Sequence, residues 1–140
     1  MIEYGIRVIW VCLLDKEMER TYRIIVAGGR DFKNYDLLKK NLDEIFIYFR
    51  EQKKDFEIVS GLAKGADTLG KKYGEDNGIH VEEFPANWDE YGRSAGYKRN
   101  EQMAIYADIC ICFWDGKSRG TKHMMDLSKR HGLSLFVVNY

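Results

Sequence analysis

From Arg23 onward the chain alternates short apolar runs with amphipathic stretches, and few folds accept that order. The apolar runs are Arg23–Ala27, Phe56–Ser60, His80–Phe84, Asp108–Trp114 and Leu133–Val138, each short enough for one strand and rich in Ile, Val and Phe. Between them, Tyr35–Glu51 places Leu37, Leu38, Leu42, Ile45, Phe46 and Phe49 at helical spacing. Further helices are expected from the Ser60–Asp67 loop to about Asp76, from about Ala95 to Ala107, and over Thr121–Arg130. Pro85 stops the third strand, Asn77-Gly78 suits a helix C-terminus, and His131-Gly132 ends the last helix. Five strands separated by four helices imply a parallel sheet with helices on both faces. Right-handed crossovers then give a Rossmann-like, doubly wound α/β domain of about five strands.

Length fits one such domain, 140 residues with no long linker, internal repeat or low-complexity stretch. Residues 21–140 are assigned to it, and residues 1–20 to an N-terminal extension or extra strand. The apolar run Ile6–Leu14 is too short for a helix that crosses a bilayer, which needs about 20 residues, and no cleavage site of small residues follows it. Met18 is an alternative natural start. A cytoplasmic protein is expected, with no membrane partner.

Charge narrows the partners. Lys plus Arg and Asp plus Glu both number 22, so the chain lacks the basic excess of a protein that grips nucleic-acid backbones. Cys12, Cys110 and Cys112 form no metal-binding spacing, and neither do His80, His123 and His131. No metal is expected. Cys110 and Cys112 would share one face of a buried strand as small core residues.

In open α/β sheets ligands bind outside the carboxyl ends of the strands. Three glycine-containing loops follow strands here and would share that rim. Gly28-Gly29-Arg30-Asp31 removes the Cβ atoms that keep phosphate from backbone amides. In it Arg30 suits phosphate, and Asp31 suits a sugar hydroxyl or a helix cap. Ser60-Gly61-Leu62-Ala63-Lys64-Gly65-Ala66-Asp67 is equally thin but lacks the Gly-Lys-Ser/Thr ending of a P-loop. Asp67 suits a helix cap or a ribose contact. Gly116–Thr121 offers Gly120 and Thr121 at a helix start, with Lys117 and Arg119 nearby. A fourth segment, Asn87–Asn100, gathers Trp88, Tyr91, Arg93, Tyr97 and Arg99. Its aromatics suit stacking on a base and its arginines suit phosphate.

Five stretches in order, Val26–Phe32, Val59–Asp67, Phe84–Trp88, Gly92–Met103 and Ser118–Thr121, resemble the YspA-like SLOG proteins. Their superfamily includes the DNA-processing protein DprA (Smf) and the Lonely Guy (LOG) nucleoside-phosphate hydrolases. The resemblance covers about Arg23 to Val138. It implies a Rossmann-like fold and the binding or sensing of a nucleotide-derived ligand, in bacteria or phages and often near conflict systems. Arg99–Met103 is similar to the Arg-Lys-x-x-Met motif of LOG enzymes, with Asn100 in place of lysine. Gly120-Thr121 is similar to the end of their second motif, with Met124 where glutamate stands and without its Pro-Gly-Gly. Opening a glycosidic bond calls for a carboxylate, and methionine supplies none.

Binding is therefore the expected function. A LOG-like nucleotide hydrolase is the alternative, with Arg99, Asp67 and Asp31 as candidate catalytic residues and Asp115 as a further carboxylate. A DprA-like single-stranded DNA-binding module is the second alternative. The expected ligand contacts are Gly28, Gly29, Arg30, Asp31, Ser60, Gly61, Ala63, Gly65, Ala66, Asp67, Trp88, Arg99, Asn100, Gly120 and Thr121. A homodimer is a possible partner state, with Tyr97, Tyr106 and Phe113 as candidates for its face.

Overall fold

A computed structural model describes residues 20–140. The expected extra strand within residues 1–20 and Cys12 fall outside or at the edge of that range. Within it, five strands run β1 (Tyr22–Gly28), β2 (Phe56–Ser60), β3 (Val81–Glu83), β4 (Ile109–Trp114) and β5 (Ser134–Asn139). They form one sheet in the order β3-β2-β1-β4-β5, and every neighbouring pair is parallel. The helices are α1 (Tyr35–Glu51), α2 (Ala66–Asp76), a one-turn α3 (Trp88–Tyr91), α4 (Ala95–Tyr106) and α5 (Arg119–Arg130). A 3₁₀ turn, Gly92–Ser94, joins α3 to α4.

Each strand sends alternate residues to opposite faces. Ile24, Val26, Ile58, Ile111 and Phe113 meet Leu38, Leu42, Ile45 and Phe49 of α1 and Tyr73 of α2. Ile25, Ala27, Val59, Cys110 and Cys112 meet Met103 and Ala104 of α4 and Met124, Met125 and Leu127 of α5. Both faces of β1 and β4 are thus covered, which is why their sequences read as unbroken apolar runs. The two cysteines carry free thiols with sulfurs 3.5 Å apart on the second face, as core residues.

The order in which strands are added reverses at the β1/β4 pair, where α1 leaves toward one face and α5 toward the other. A crevice opens there at the carboxyl ends of the strands. Local capping differs from the sequence expectation. Asn34, not Asp31, caps α1 by accepting from the Leu37 amide at 3.0 Å. Ser118 caps α5 by accepting from the Thr121 amide, which places Thr121 inside the first turn. Gly65 precedes α2 without a side-chain cap, so Asp67, the second residue of that helix, is free for another role.

The candidate dimer face is also corrected. Phe113 is fully buried against Phe32, because odd-numbered β4 residues face α1. Tyr106 is half-buried, with the Arg23 guanidinium over its ring. Only Tyr97 of that trio is exposed. No helix among the described residues is long and apolar enough to cross a membrane.

Candidate functional site

The loops after β1, β2 and β4 meet over the crevice, and their backbones are stitched to one another. The Gly29 amide donates to the Phe113 carbonyl at 3.1 Å, and the Gly29 carbonyl accepts from Phe32 and Ala66 at 3.2 and 3.3 Å. Gly65 (φ +86°) presses its Cα against the Gly29 and Arg30 backbone, where a Cβ would overlap the Gly29 carbonyl. A Cβ on Gly28 would fall 2.5 Å from the Phe113 carbonyl and 2.7 Å from Ala66 Cβ. These glycines let three chain segments touch with no side chain between them.

Beneath that junction lies Asp67, 4% exposed. Burial pushes its carboxyl up to about 6. The Arg99 charge and the backbone N–H groups of Ala63, Gly28 and Gly61 pull the other way. Amides expected to cradle phosphate thus face a carboxylate of the protein itself. Ser60, fully buried, braces the arrangement by donating from Oγ to the Asp67 carbonyl at 2.9 Å and accepting from the Leu62 amide at 3.2 Å.

Arg99 is the other buried charge, 8% exposed. Its Nε donates to Asn100 Oδ1 at 3.0 Å and its Nη1 to the Gly61 carbonyl. Nη2 lies on the Gly96 side and donates to no group among the described residues. Burial lowers the Arg99 pKa, Asp67 raises it, and Arg30 lowers it again. Arg30 and Arg99 are therefore like charges sharing one small region, an arrangement that an anion would relieve. Gly61 makes room for the pair: a Cβ there would lie 2.8 Å from Arg99 Cδ and Nη1 and from Asp67 Oδ2.

Above these groups is a cleft of about 440 Å³. Of the expected contacts, Gly28, Gly29, Arg30, Asp31, Ala63, Asp67, Trp88, Arg99, Asn100, Gly120 and Thr121 line it. Gly61 faces an adjoining cavity, while Ser60, Gly65 and Ala66 stand behind the wall. Thr121 is buried, with its hydroxyl 3.0 Å from Ser118 Oγ. Asn100 ties α4 to α5 by donating from Nδ2 to the Gly120 carbonyl at 3.4 Å, with His123 Nδ1 at 3.3 Å. Asp31 accepts from the Tyr140 hydroxyl at 2.7 Å. Asp115 accepts from its own loop amides, Lys117 and Ser118, both at 2.8 Å, and these hold its carboxyl below the usual range.

Gly96, Tyr97, Ser118 and Met124 also line the cleft, although none of them is among the expected contacts, and Arg93, one of the two arginines of its segment suited to phosphate, lines it as well. Arg93 and Tyr97 belong to the aromatic and basic cluster of the sequence, but no spacing rule says which side chains the 3₁₀ turn Gly92–Ser94 and the start of α4 turn inward. Met124 occupies the cleft wall, one helical turn after Gly120. Among the described residues no group of three or more His, Cys, Asp or Glu is placed to hold a metal.

Comparison with known proteins agrees with the fold and the motifs. A solved structure, translation initiation factor eIF-2B from Pyrococcus horikoshii OT3, superposes with a TM-score of 0.55 at 16% identity. The match covers 86% of this chain and 40% of that one, and establishes the shared α/β fold alone. Gene 61 protein of Mycobacterium phage D29 is 30% identical over 124 residues, covering 84% of this chain and 95% of the phage protein. The family described as "YspA, cpYpsA-related SLOG family" (YAcAr) matches residues 22–91. On these two sequence matches, the chain belongs to the YspA, cpYpsA-related SLOG family.

Proposed function

We propose that the cleft binds a nucleotide or nucleotide-derived ligand. One observation carries the reading. At the β1/β4 switch point, Arg30, Arg93 and the free Nη2 side of Arg99 line a single small-molecule-sized cleft whose rim bears the exposed rings of Trp88 and Tyr97. Guanidinium groups are the side chains that pair bidentately with phosphate, and flat exposed rings stack on bases. In the loops after β1 and β2 the anion contact falls to arginine side chains, because the Gly28, Gly29 and Gly61 amides are already engaged within the protein.

Binding or sensing is favoured over hydrolysis. Met124 stands in the cleft wall where a hydrolase of the LOG type carries glutamate, Asp67 reaches the cleft floor almost wholly buried and already accepts from loop amides, and Asp31 is held by Tyr140. The zero formal net charge also favours a small ligand over a DNA strand. A cytoplasmic setting, in a phage or its host, goes with this reading.

Isothermal titration against the common 5′-mononucleotides tests the proposal. At least one is expected to bind, and Arg30→Ala is expected to weaken it by roughly tenfold or more, as for loss of a charge-assisted hydrogen bond. Absence of binding by the mononucleotides and by larger nucleotide derivatives alike refutes the reading. So does binding that Arg30→Ala leaves untouched.

A further inference from the structure

The cleft is not a single chamber. A second cavity of about 460 Å³ adjoins it, and the two share Arg30, Ala63, Trp88 and Arg99 as a common wall. Each has the size of a small-molecule site, roughly 300–1,000 Å³. Their chemistry differs. The first chamber carries two carboxylates, Asp31 and Asp67, beside its arginines, and two aromatic rings, Trp88 and Tyr97. The second has no carboxylate in its lining and adds Lys64 to the two shared arginines, with Leu62, Pro85 and Ala86 as apolar walls.

Leu62 gives a second, independent pointer. It adopts φ +61°, a left-handed conformation that a branched residue rarely takes, and its amide is pinned to Ser60 Oγ. Backbone strain of this kind persists where the surroundings fix it, and it gathers at ligand clamps. Here it sets a leucine into the wall of the second chamber in a position where glycine would be the easy choice.

From these chambers we infer that the ligand is a two-part nucleotide: a nucleoside in the first chamber, a pyrophosphate bridge at the Arg30/Arg99 seam, and a second sugar or nucleoside unit in the Lys64 chamber. The inference rests on the nucleotide reading and adds the ligand class. Arg30 and Arg99, lining both chambers, face the doubly charged bridge. Lys64, exposed and without an ion pair among the described residues, meets the far unit and its adjoining phosphate. Trp88, half-exposed on the shared wall, separates the two units.

Titration of the wild-type protein with each 5′-mononucleotide, the matching nucleoside-diphosphate hexose and the matching dinucleoside diphosphate tests this directly. A bridged ligand is expected to bind at least roughly tenfold more tightly than its mononucleotide. The hexose and dinucleoside arms tell which second unit is used. Lys64→Glu reverses a charge in the second chamber, and Ala86→Trp fills it without altering charge. Each is expected to bring the bridged ligand down to mononucleotide affinity while leaving the mononucleotide within about twofold. Equal wild-type affinity for bridged and unbridged ligands overturns the two-part inference and leaves the nucleotide reading standing. The two-part inference falls in the same way if both variants leave the bridged ligand's advantage intact. Binding of neither class brings down both.

Discussion

Replacing Asp67 by Asn should change how stability depends on pH. In the unfolded chain this carboxyl titrates at its ordinary 3.8; in the folded protein burial raises it to about 6. Between those values the folded state holds the proton more tightly than the unfolded state does. Stability from this group is therefore complete below the unfolded value and lost as pH rises through the folded one. Over the whole interval the loss is about 3 kcal/mol, of which about 2 kcal/mol falls between about pH 4.5 and pH 7. Asparagine has nearly the same shape and does not titrate, so the variant should lack this component. Other carboxylates, including Asp43, Asp76, Asp115 and Asp126, are held below their usual range and lose stability in acid. They are common to both proteins and cancel in the difference.

Urea unfolding followed by far-UV circular dichroism at both pH values supplies the four free energies. The expected result is that wild type loses about 2 kcal/mol more than Asp67→Asn on going from the lower pH to the higher. With a urea m-value of about 1–3 kcal/mol per molar, this is a relative midpoint shift of roughly 1 M. The absolute stability of the variant at neutral pH does not enter the test, because Arg99 also loses its charge partner. Parallel pH profiles for the two proteins would refute the argument, since they would mean that Asp67 keeps an ordinary carboxyl pKa under the loops.

Two glycines with positive φ should separate backbone strain from steric overlap. Gly78→Ala meets no neighbour within 4 Å and should cost about 1 kcal/mol, whereas Gly65→Ala must also displace the Gly29 carbonyl and should cost about 3 kcal/mol or more in the same urea experiment. Gly61→Ala crowds Arg99 and Asp67 together and should lower stability by about 1–3 kcal/mol, with nucleotide affinity falling alongside it in calorimetry. Trp88→Ala should leave the urea midpoint nearly unchanged, within about 0.5 kcal/mol, because the ring is half-exposed. Ligand affinity should nevertheless fall by roughly fivefold or more if the ring stacks on a base, and unchanged affinity would remove Trp88 from the site.

Most of the fold was legible because each strand announced itself twice, by an apolar run and by the turn or loop signal after it. Phe56–Ser60 and Tyr35–Glu51 coincide with the expected boundaries, the other expected strands and helices differ at their ends by one or two residues, and the helical turns Trp88–Tyr91 and Gly92–Ser94 were not expected. What could not be read was which polar atoms the folded chain would satisfy by itself. The composition of Gly28–Asp31 is equally suited to holding phosphate and to packing against a neighbouring loop. Only the register Gly28↔Phe113 and the depth of Asp67 distinguish the two uses. Phe113 shows the same limit. Its exposure depends on strand parity relative to α1, and nothing local in Ile109–Trp114 tells the two faces apart when both are apolar.

Asn87–Ser94 differs from everything around it, since all eight of its residues are exposed although seven of them form helical turns. The foundation of the site cannot absorb change, because glycine backbones already touch there and any added atom collides. The rim carries no such restriction. Substitutions at Trp88 or Arg93 alter what faces the cleft while removing little buried area from the core. The stacking and rim part of recognition is thus written on a stretch of chain separate from the folding core, while Arg30 and Arg99 belong to the foundation. The rim is the place to redesign selectivity, since a library built there would sample new ligands on a scaffold that stays folded.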